Sequence, residues 1–283
     1  MPDRHPSTGT AERVPRRAEH PWEFEARLHC VSAVVLALLL AAPTEAPAEL
    51  ALGPGEQITY RVSWIGLPAG TANVTVGAES PDRPGSLPIV TNGRSDLVIY
   101  PVRDKIVSWW DPASGRSQGL EMYSDENRKR RRLKIDFDHS AGKAHVYRQV
   151  EGESPRESRV DVPAGSVDVA SAVFFIRTAR LANGDTLTMP IFTGAKLFKG
   201  LAEVEGRGKV ETPLGERDAV RVRLRTEFSG KLTARELRMW FSDDAAHVPM
   251  RMEADFALGT VVVEWTDYKP GRALDPSTLA RGR

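Results

Sequence analysis

The stretch that decides the fold is Ile58-Thr59-Tyr60-Arg61-Val62-Ser63-Trp64, in which every second residue is apolar. Ile58, Tyr60, Val62 and Trp64 share one face and Thr59, Arg61 and Ser63 the other, the period of a half-buried β-strand. Gly66-Leu67-Pro68-Ala69-Gly70 then supplies turn chemistry, and Ala72, Val74 and Val76 resume the alternation. The segment reads as a hairpin.

Outward from it the same pattern recurs. Lys105–Trp110, Ser117–Tyr123, Lys129–Phe137, Ala144–Val150, Thr186–Phe192 and Leu197–Glu205 read as strands. So do Ala219–Thr226, Ala234–Phe241, Met250–Phe256 and Thr260–Tyr268, with a short one near Ile89–Thr91. About a dozen strands predict a mostly-β protein, a large curved antiparallel sheet or half-open barrel. Ser80–Leu87, with two prolines and a glycine, reads as a loop.

One segment departs from period two. Val169, Ala172, Val173, Ile176 and Ala179 recur at three and four residues, which predicts one main helix over about 168–183. Asp168 supplies its N-cap and Gly184 its stop. Phe174 and Phe175 widen its apolar surface beyond one stripe, so the helix is expected to lie against the concave face of the sheet. No linker between 52 and 270 is long enough to divide two domains; 49–270 reads as one mostly-β domain and 271–283 as a disordered tail.

The N-terminus has a different character. Arg27 and His29 precede the apolar run Val31–Ala42, interrupted only by Ser32. That run is short of the ~20 residues of a membrane span but suits the core of a signal peptide. Ala46-Pro47-Ala48 places small residues where a signal peptidase reads, so cleavage is expected before Glu49, with 1–48 a polar stretch and signal peptide. Arg16-Arg17 lacks the hydrophobic follow-up of twin-arginine export. Cys30, the one cysteine, precedes the run and does not suit lipid anchoring; a chain beginning at Glu49 has no thiol for disulfides, thiolate metals or nucleophiles. Of 39 basic and 38 acidic residues, five and six lie in 1–48, leaving 34 and 32. Near-neutrality gives no reason to seek nucleic acid, and any charged binding patch must be local.

Several segments also carry a family resemblance. Ile58–Gly70, then Asp168–Gly184 leading into Asp185-Thr186-Leu187-Thr188-Met189-Pro190-Ile191-Phe192, are the first two. Trp240-Phe241-Ser242-Asp243-Asp244, Val248-Pro249-Met250-Arg251 and Gly259 follow in order. Together they resemble the bacterial Domain of Unknown Function 3108 family over about residues 55–268. The resemblance implies an exported envelope component with a curved antiparallel sheet, and it brings no established catalytic residues. By analogy of fold alone, such a sheet is similar to the half-barrels of lipoprotein carriers that hold acyl chains.

Candidate chemistry is sparse. Asp136, Asp138 and His139 could begin a cation site but also suit a strand end turning at Ser140-Ala141-Gly142. Asp243, Asp244 and His247 could be drawn as an acid–base set, although the aspartates sit where a hairpin must turn and no recognised catalytic motif accompanies them. Arg128, Lys129, Arg130, Arg131, Arg132 and Lys134 form the strongest charge feature: an anionic-surface site, or an edge strand protected against pairing. Trp64, Trp240 and Trp265 in strands, with Phe174 and Phe175 in the helix, are the candidates for an apolar ligand site, or else simply fill the core.

The preferred reading is an exported, periplasmic or envelope protein without catalytic activity, metal or cofactor, carrying a lipid-like or other hydrophobic ligand. The alternative is a structural or interaction module of an envelope assembly, docking through the basic strand or a sheet edge. A hydrolase built on Asp243, Asp244 and His247 is the third. Neither nucleic acid nor a membrane span of the mature chain is expected, and the sequence leaves the oligomeric state open.

Overall fold

The computed structural model describes residues 51–95, 97, 101–127, 129–226, 236–256, 259–275, 277 and 279. The signal segment, its cleavage position before Glu49, Cys30 and Arg128 lie outside them.

Fourteen strands and one helix follow one another. They are β1 Gln57–Trp64, β2 Leu67–Val76, β3 Leu87–Ser95, β4 Val102–Asp111, β5 Arg116–Glu126, β6 Lys129–Asp138, β7 Lys143–Val150 and β8 Arg156–Asp161, then helix α1 Val169–Thr178. After it come β9 Thr186–Phe192, β10 Leu197–Val210, β11 Arg217–Thr226, β12 Glu236–Ser242, β13 Pro249–Phe256 and β14 Gly259–Lys269. All belong to a single antiparallel sheet, ordered β8 through β1, then β14 back to β9. Each half is a meander of short hairpins, and the pairing of β1 with β14 joins them at the centre. The sheet is not closed: β8 and β9 are its two edges, and α1 lies on the connection between them. Register shifts in five ladders, among them Thr59/Tyr60, Trp109/Trp110 and Val204/Gly206, add local bend and twist to so wide a sheet.

Curvature is visible in what α1 touches. Ala172 and Ile176 pack with Met189, Val204, Val222, Met239 and Phe241 of β9–β12. Phe174 packs instead with Val76, Ile89 and Trp110 of β2–β4, its ring 5.2 Å from that of Trp110. A ten-residue helix reaches both halves only because the sheet wraps around it. The far edges approach as well: Phe192 of β9 is buried with Leu120, Ile135 and Val146 of β5–β7. Val167 bridges to Ile191 in parallel fashion, covering part of the β9 edge.

Four expectations change. The helix ends at Thr178, not near 183: Ala179 is already extended, and Gly184 turns into β9. Val169, expected to bury, is 57% exposed, because the buried stripe runs through Ala172, Phe174 and Ile176. The sequence reading omits β8, whose Arg-Glu-Ser-Arg-Val-Asp shows no apolar alternation because it is a solvated edge strand. The tail, expected to be disordered, is docked in part. Gly271 and Arg272 donate backbone hydrogen bonds to Ala51 and Pro54, and Leu274 and Leu279 pack with Leu52 and Trp110. Two isolated leucines carry no period, yet they suffice to cover an apolar patch at the base of the sheet.

Candidate functional site

The inner side of the sheet under α1 is incompletely filled. Two apolar chambers flank the middle of the helix. One, of about 290 Å³, lies against β1–β3 and β12–β14 and is lined by Ile58, Tyr60, Val62, Val74, Phe174 and Val263, among others. The second, of about 220 Å³, lies against β9–β13 and is lined by Ala172, Ile176, Met189, Ile191, Leu224 and Leu237, among others. Val173, Met239 and Met252 line both and form the wall between them. Two of these three are methionines, whose flexible thioethers adapt to irregular space more readily than branched side chains. Together the chambers reach the size range of small-molecule sites.

Buried polar groups fix the helix at each end. At its N-terminus Asp168 accepts from the backbone N–H groups of Ala170 and Ser171 through Oδ1. Its Oδ2 accepts from the hydroxyls of Ser108 (2.6 Å), Ser117 (2.5 Å) and Ser171 (3.0 Å), tying the cap to β4 and β5. At the other end Arg177, wholly buried, donates to both carboxylate oxygens of Glu56 at 2.8 and 2.6 Å and to the Ala246 carbonyl. Burial opposes the guanidinium's charge, but the Glu56 carboxylate outweighs it and the Arg177 pKa moves up. Tyr268 donates to Glu56, and burial together with that carboxylate pushes its hydroxyl up to about 12. Arg177 also borders the first chamber, as do Arg251 and Thr91 in its otherwise apolar lining.

Of the five aromatic candidates, Phe174 alone lines a chamber. Phe175 packs against the core on the β9–β12 side, half-buried. Trp265 is buried, donates its indole N–H to Thr212 and sits 5.8 Å from the Tyr268 ring. Trp240 is half-buried with the Arg251 guanidinium 5.8 Å from its ring, and Trp64 is half-buried at the end of β1. Glu56, Arg177, Met239 and Met252 were not singled out from the sequence. Only Arg177, a charge on the helix's apolar surface, offered a signal.

The basic run divides between the two faces of β6. Arg130 pairs with Asp125 and Glu151, Arg131 with Glu126, Lys129 with Glu153, and Lys134 with Glu121 and Asp136. Arg132 lies over the Tyr123 ring at 5.1 Å and near Tyr147 at 5.9 Å. β6 is an internal strand, third from the β8 edge, so the run does not protect an edge. Instead Arg94, Arg103 and Lys105 of β3 and β4 join Arg130, Arg131 and Arg132 around a groove of about 640 Å³ that Asp104, Asp125 and Glu151 line as well.

The remaining polar candidates serve turns and pairs. Asp136 binds Arg83, Asp138 accepts from Ser140 and Ala141, and His139 donates to the Ser117 carbonyl. Asp243 pairs with Arg207 at 3.0 Å, and Asp244 accepts from Ser242 and Ala246 in the β12–β13 turn. His247 donates through Nδ1 to the Arg177 carbonyl, and burial holds its pKa below the ordinary value.

Among the described residues, no helix is long and apolar enough to cross a membrane. The model of the family described as protein of unknown function (DUF3108) matches residues 59–266, and the chain belongs to that family. No curated protein matches the sequence. In fold the chain is similar to a β-barrel-like protein of Domain of Unknown Function DUF1849 from Brucella abortus, with a TM-score of 0.53 at 8% identity. That alignment covers 76% of this chain and 97% of the other. A candidate lipoprotein from Parabacteroides distasonis aligns at 11% identity over 79% of this chain and 100% of its own, with a TM-score of 0.33.

Proposed function

We propose that this family member is an exported, non-enzymatic binding protein that holds a lipid-like ligand between its helix and the inner face of its sheet. The observation that carries the reading is the pair of apolar chambers sharing Val173, Met239 and Met252. An aliphatic chain running from one to the other would gain burial without displacing a hydrogen-bonded group. Export rests on the apolar run Val31–Ala42 and the Ala46-Pro47-Ala48 site. Absence of catalysis rests on Asp243, Asp244 and His247 each being engaged structurally, with Arg207, with Ser242 and with the Arg177 carbonyl in turn.

The test is purification from the periplasm under native conditions followed by lipid mass spectrometry. The expected result is a co-purifying acyl lipid whose removal lowers the thermal midpoint and whose return restores it, since a ligand that binds only the folded state stabilises it. Val173→Phe, which intrudes on both chambers, should reduce the bound lipid. Protein that arrives without lipid and is not stabilised by fatty acids or phospholipids would overturn the reading.

A further inference from the structure

Among the described residues, the polar side chains lining the two chambers are already engaged, with one exception. Around the first chamber Arg177 gives its guanidinium to Glu56 and the Ala246 carbonyl. Arg251 gives its own to Glu253, Glu264 and the Glu211 carbonyl. The Tyr60 hydroxyl donates to the Pro249 carbonyl at 2.9 Å. Around the second chamber Thr193 donates to the Lys196 carbonyl, and Arg225 lies 3.8 Å from Glu203. The exception is Thr91, in the wall of the first chamber, whose hydroxyl has no hydrogen-bond partner among the described residues.

Strand packing does not account for that threonine. It stands opposite Val74 of β2 and Ile106 of β4, and Ile89, two residues earlier on the same face, lines the same chamber. Valine would suit such a position equally well and would bring no hydroxyl to satisfy. A hydroxyl left unpaired in apolar surroundings is destabilising, so its presence is explained by a partner that arrives with the ligand.

The two guanidinium groups decide the charge of that partner. Both are committed to carboxylates, so an anionic head in the first chamber would lose its water and meet no spare cation among the described residues. A neutral oxygen needs only one hydrogen bond. Shape decides the rest: chambers of about 290 and 220 Å³ are each small for a bulky rigid body, whereas a flexible chain can divide itself between them past Met239 and Met252. We infer that the ligand is a single-chain amphiphile with an uncharged, oxygen-bearing head of the alcohol or ester class. Thr91 hydrogen-bonds that head in the first chamber, and the chain runs on into the second. The inference rests on the carrier reading and adds to it a head-group selectivity and the residue that sets it.

The experiment is competitive binding of myristyl alcohol, methyl myristate, myristate and tetradecane to the delipidated protein, delivered from cyclodextrin and read by native mass spectrometry. At a pH where the acid is ionised, the alcohol and the ester should bind at least about tenfold more tightly than myristate. Thr91→Val, which keeps the branched shape and removes the hydroxyl, should weaken the alcohol and the ester about fivefold and leave tetradecane unchanged. The thermal midpoint of the ligand-free variant should not fall, which separates binding from folding. Thr91→Ser, which retains the hydroxyl, should hold the alcohol within about twofold of wild type. Myristate bound as tightly as the alcohol would overturn the neutral head, and cholesterol bound as tightly would overturn the single chain. Thr91→Val that weakens all four probes alike, or none of them, would overturn the role of Thr91. Probes that bind without these preferences refute this inference and leave the carrier reading standing; if no probe binds, both fail.

Discussion

Breaking the Glu56–Arg177 pair is the sharpest test of how the helix is held. Both side chains are essentially inaccessible, and the two charge-assisted hydrogen bonds between them are bidentate. Glu56→Leu leaves a guanidinium buried with, among the described residues, only the Ala246 carbonyl as hydrogen-bond acceptor, and orphaning one member of a buried pair costs about 3–5 kcal/mol. Arg177→Met strands the carboxylate, with the Tyr268 hydroxyl its one remaining hydrogen-bond donor among the described residues, and is expected to cost a similar ~3–5 kcal/mol. The double variant Glu56→Leu/Arg177→Met removes both charges and substitutes apolar volume. It should lose far less than the sum, about 1–3 kcal/mol for the orphaned Ala246 carbonyl and Tyr268 hydroxyl. Urea unfolding of the four proteins gives the coupling free energy directly. Single losses below ~1 kcal/mol, or losses that simply add in the double variant, would refute the claim that this pair clamps the helix.

Three further outcomes follow from the packing around α1. Phe174→Ala should cost ~3–5 kcal/mol by urea unfolding, because its ring is buried against Trp110, while the half-buried Phe175 should cost visibly less. Asp168→Ala removes the cap and strips the Ser108, Ser117 and Ser171 hydroxyls of their shared acceptor, so a loss of ~3 kcal/mol or more is expected by the same assay. His247 has a folded-state pKa below its ordinary value of 6.5 because it is buried. The unfolded chain therefore binds the proton more readily, and stability present above pH 6.5 should fall as pH drops toward the folded-state value. His247→Asn, which suits the positive φ at that position, should flatten thermal midpoints measured across that window.

The architecture was legible because strands buried on one face must alternate. The alternation Ile58, Tyr60, Val62 gave the first hairpin, and a dozen similar runs gave one wide antiparallel sheet. Where a strand has no buried face, as in Arg156–Asp161, the signal disappears although the ladder to β7 is complete. The helix was legible from Val173 and Ile176, but its exact face was not. Val169 satisfies the spacing and yet is exposed, since only the shape of the wrapped sheet decides which flank is covered. The ligand candidates suffered most. Aromatic residues were natural choices for a cavity, yet of the five chosen only Phe174 lines one, and the wall between the chambers consists of Val173, Met239 and Met252, three residues that any core would accept. Glu56 follows Gly53-Pro54-Gly55 and reads as loop; its partner is 121 residues away, a distance that only the wrapping of the sheet around the helix makes short.

Ten residues make a helix too short to be stable by itself, so α1 must be held by its surroundings. Ordinary core packing would do this along the whole apolar face. Here apolar packing is divided between two clusters, one on each side, and the middle of the helix faces unfilled space. The polar anchors supply what the missing packing does not: Asp168 fixes the N-terminus to β4 and β5, and Arg177 fixes the C-terminus to Glu56 ahead of β1. Hydrogen bonds of this kind are directional, and a misplaced helix would leave Glu56, Arg177 and Asp168 buried without partners. The helix is thus located by its ends and not by its middle. That division permits the chambers to persist without loss of a unique fold. It also assigns any adjustment to a ligand to the flexible side chains of Met239 and Met252, not to movement of the helix.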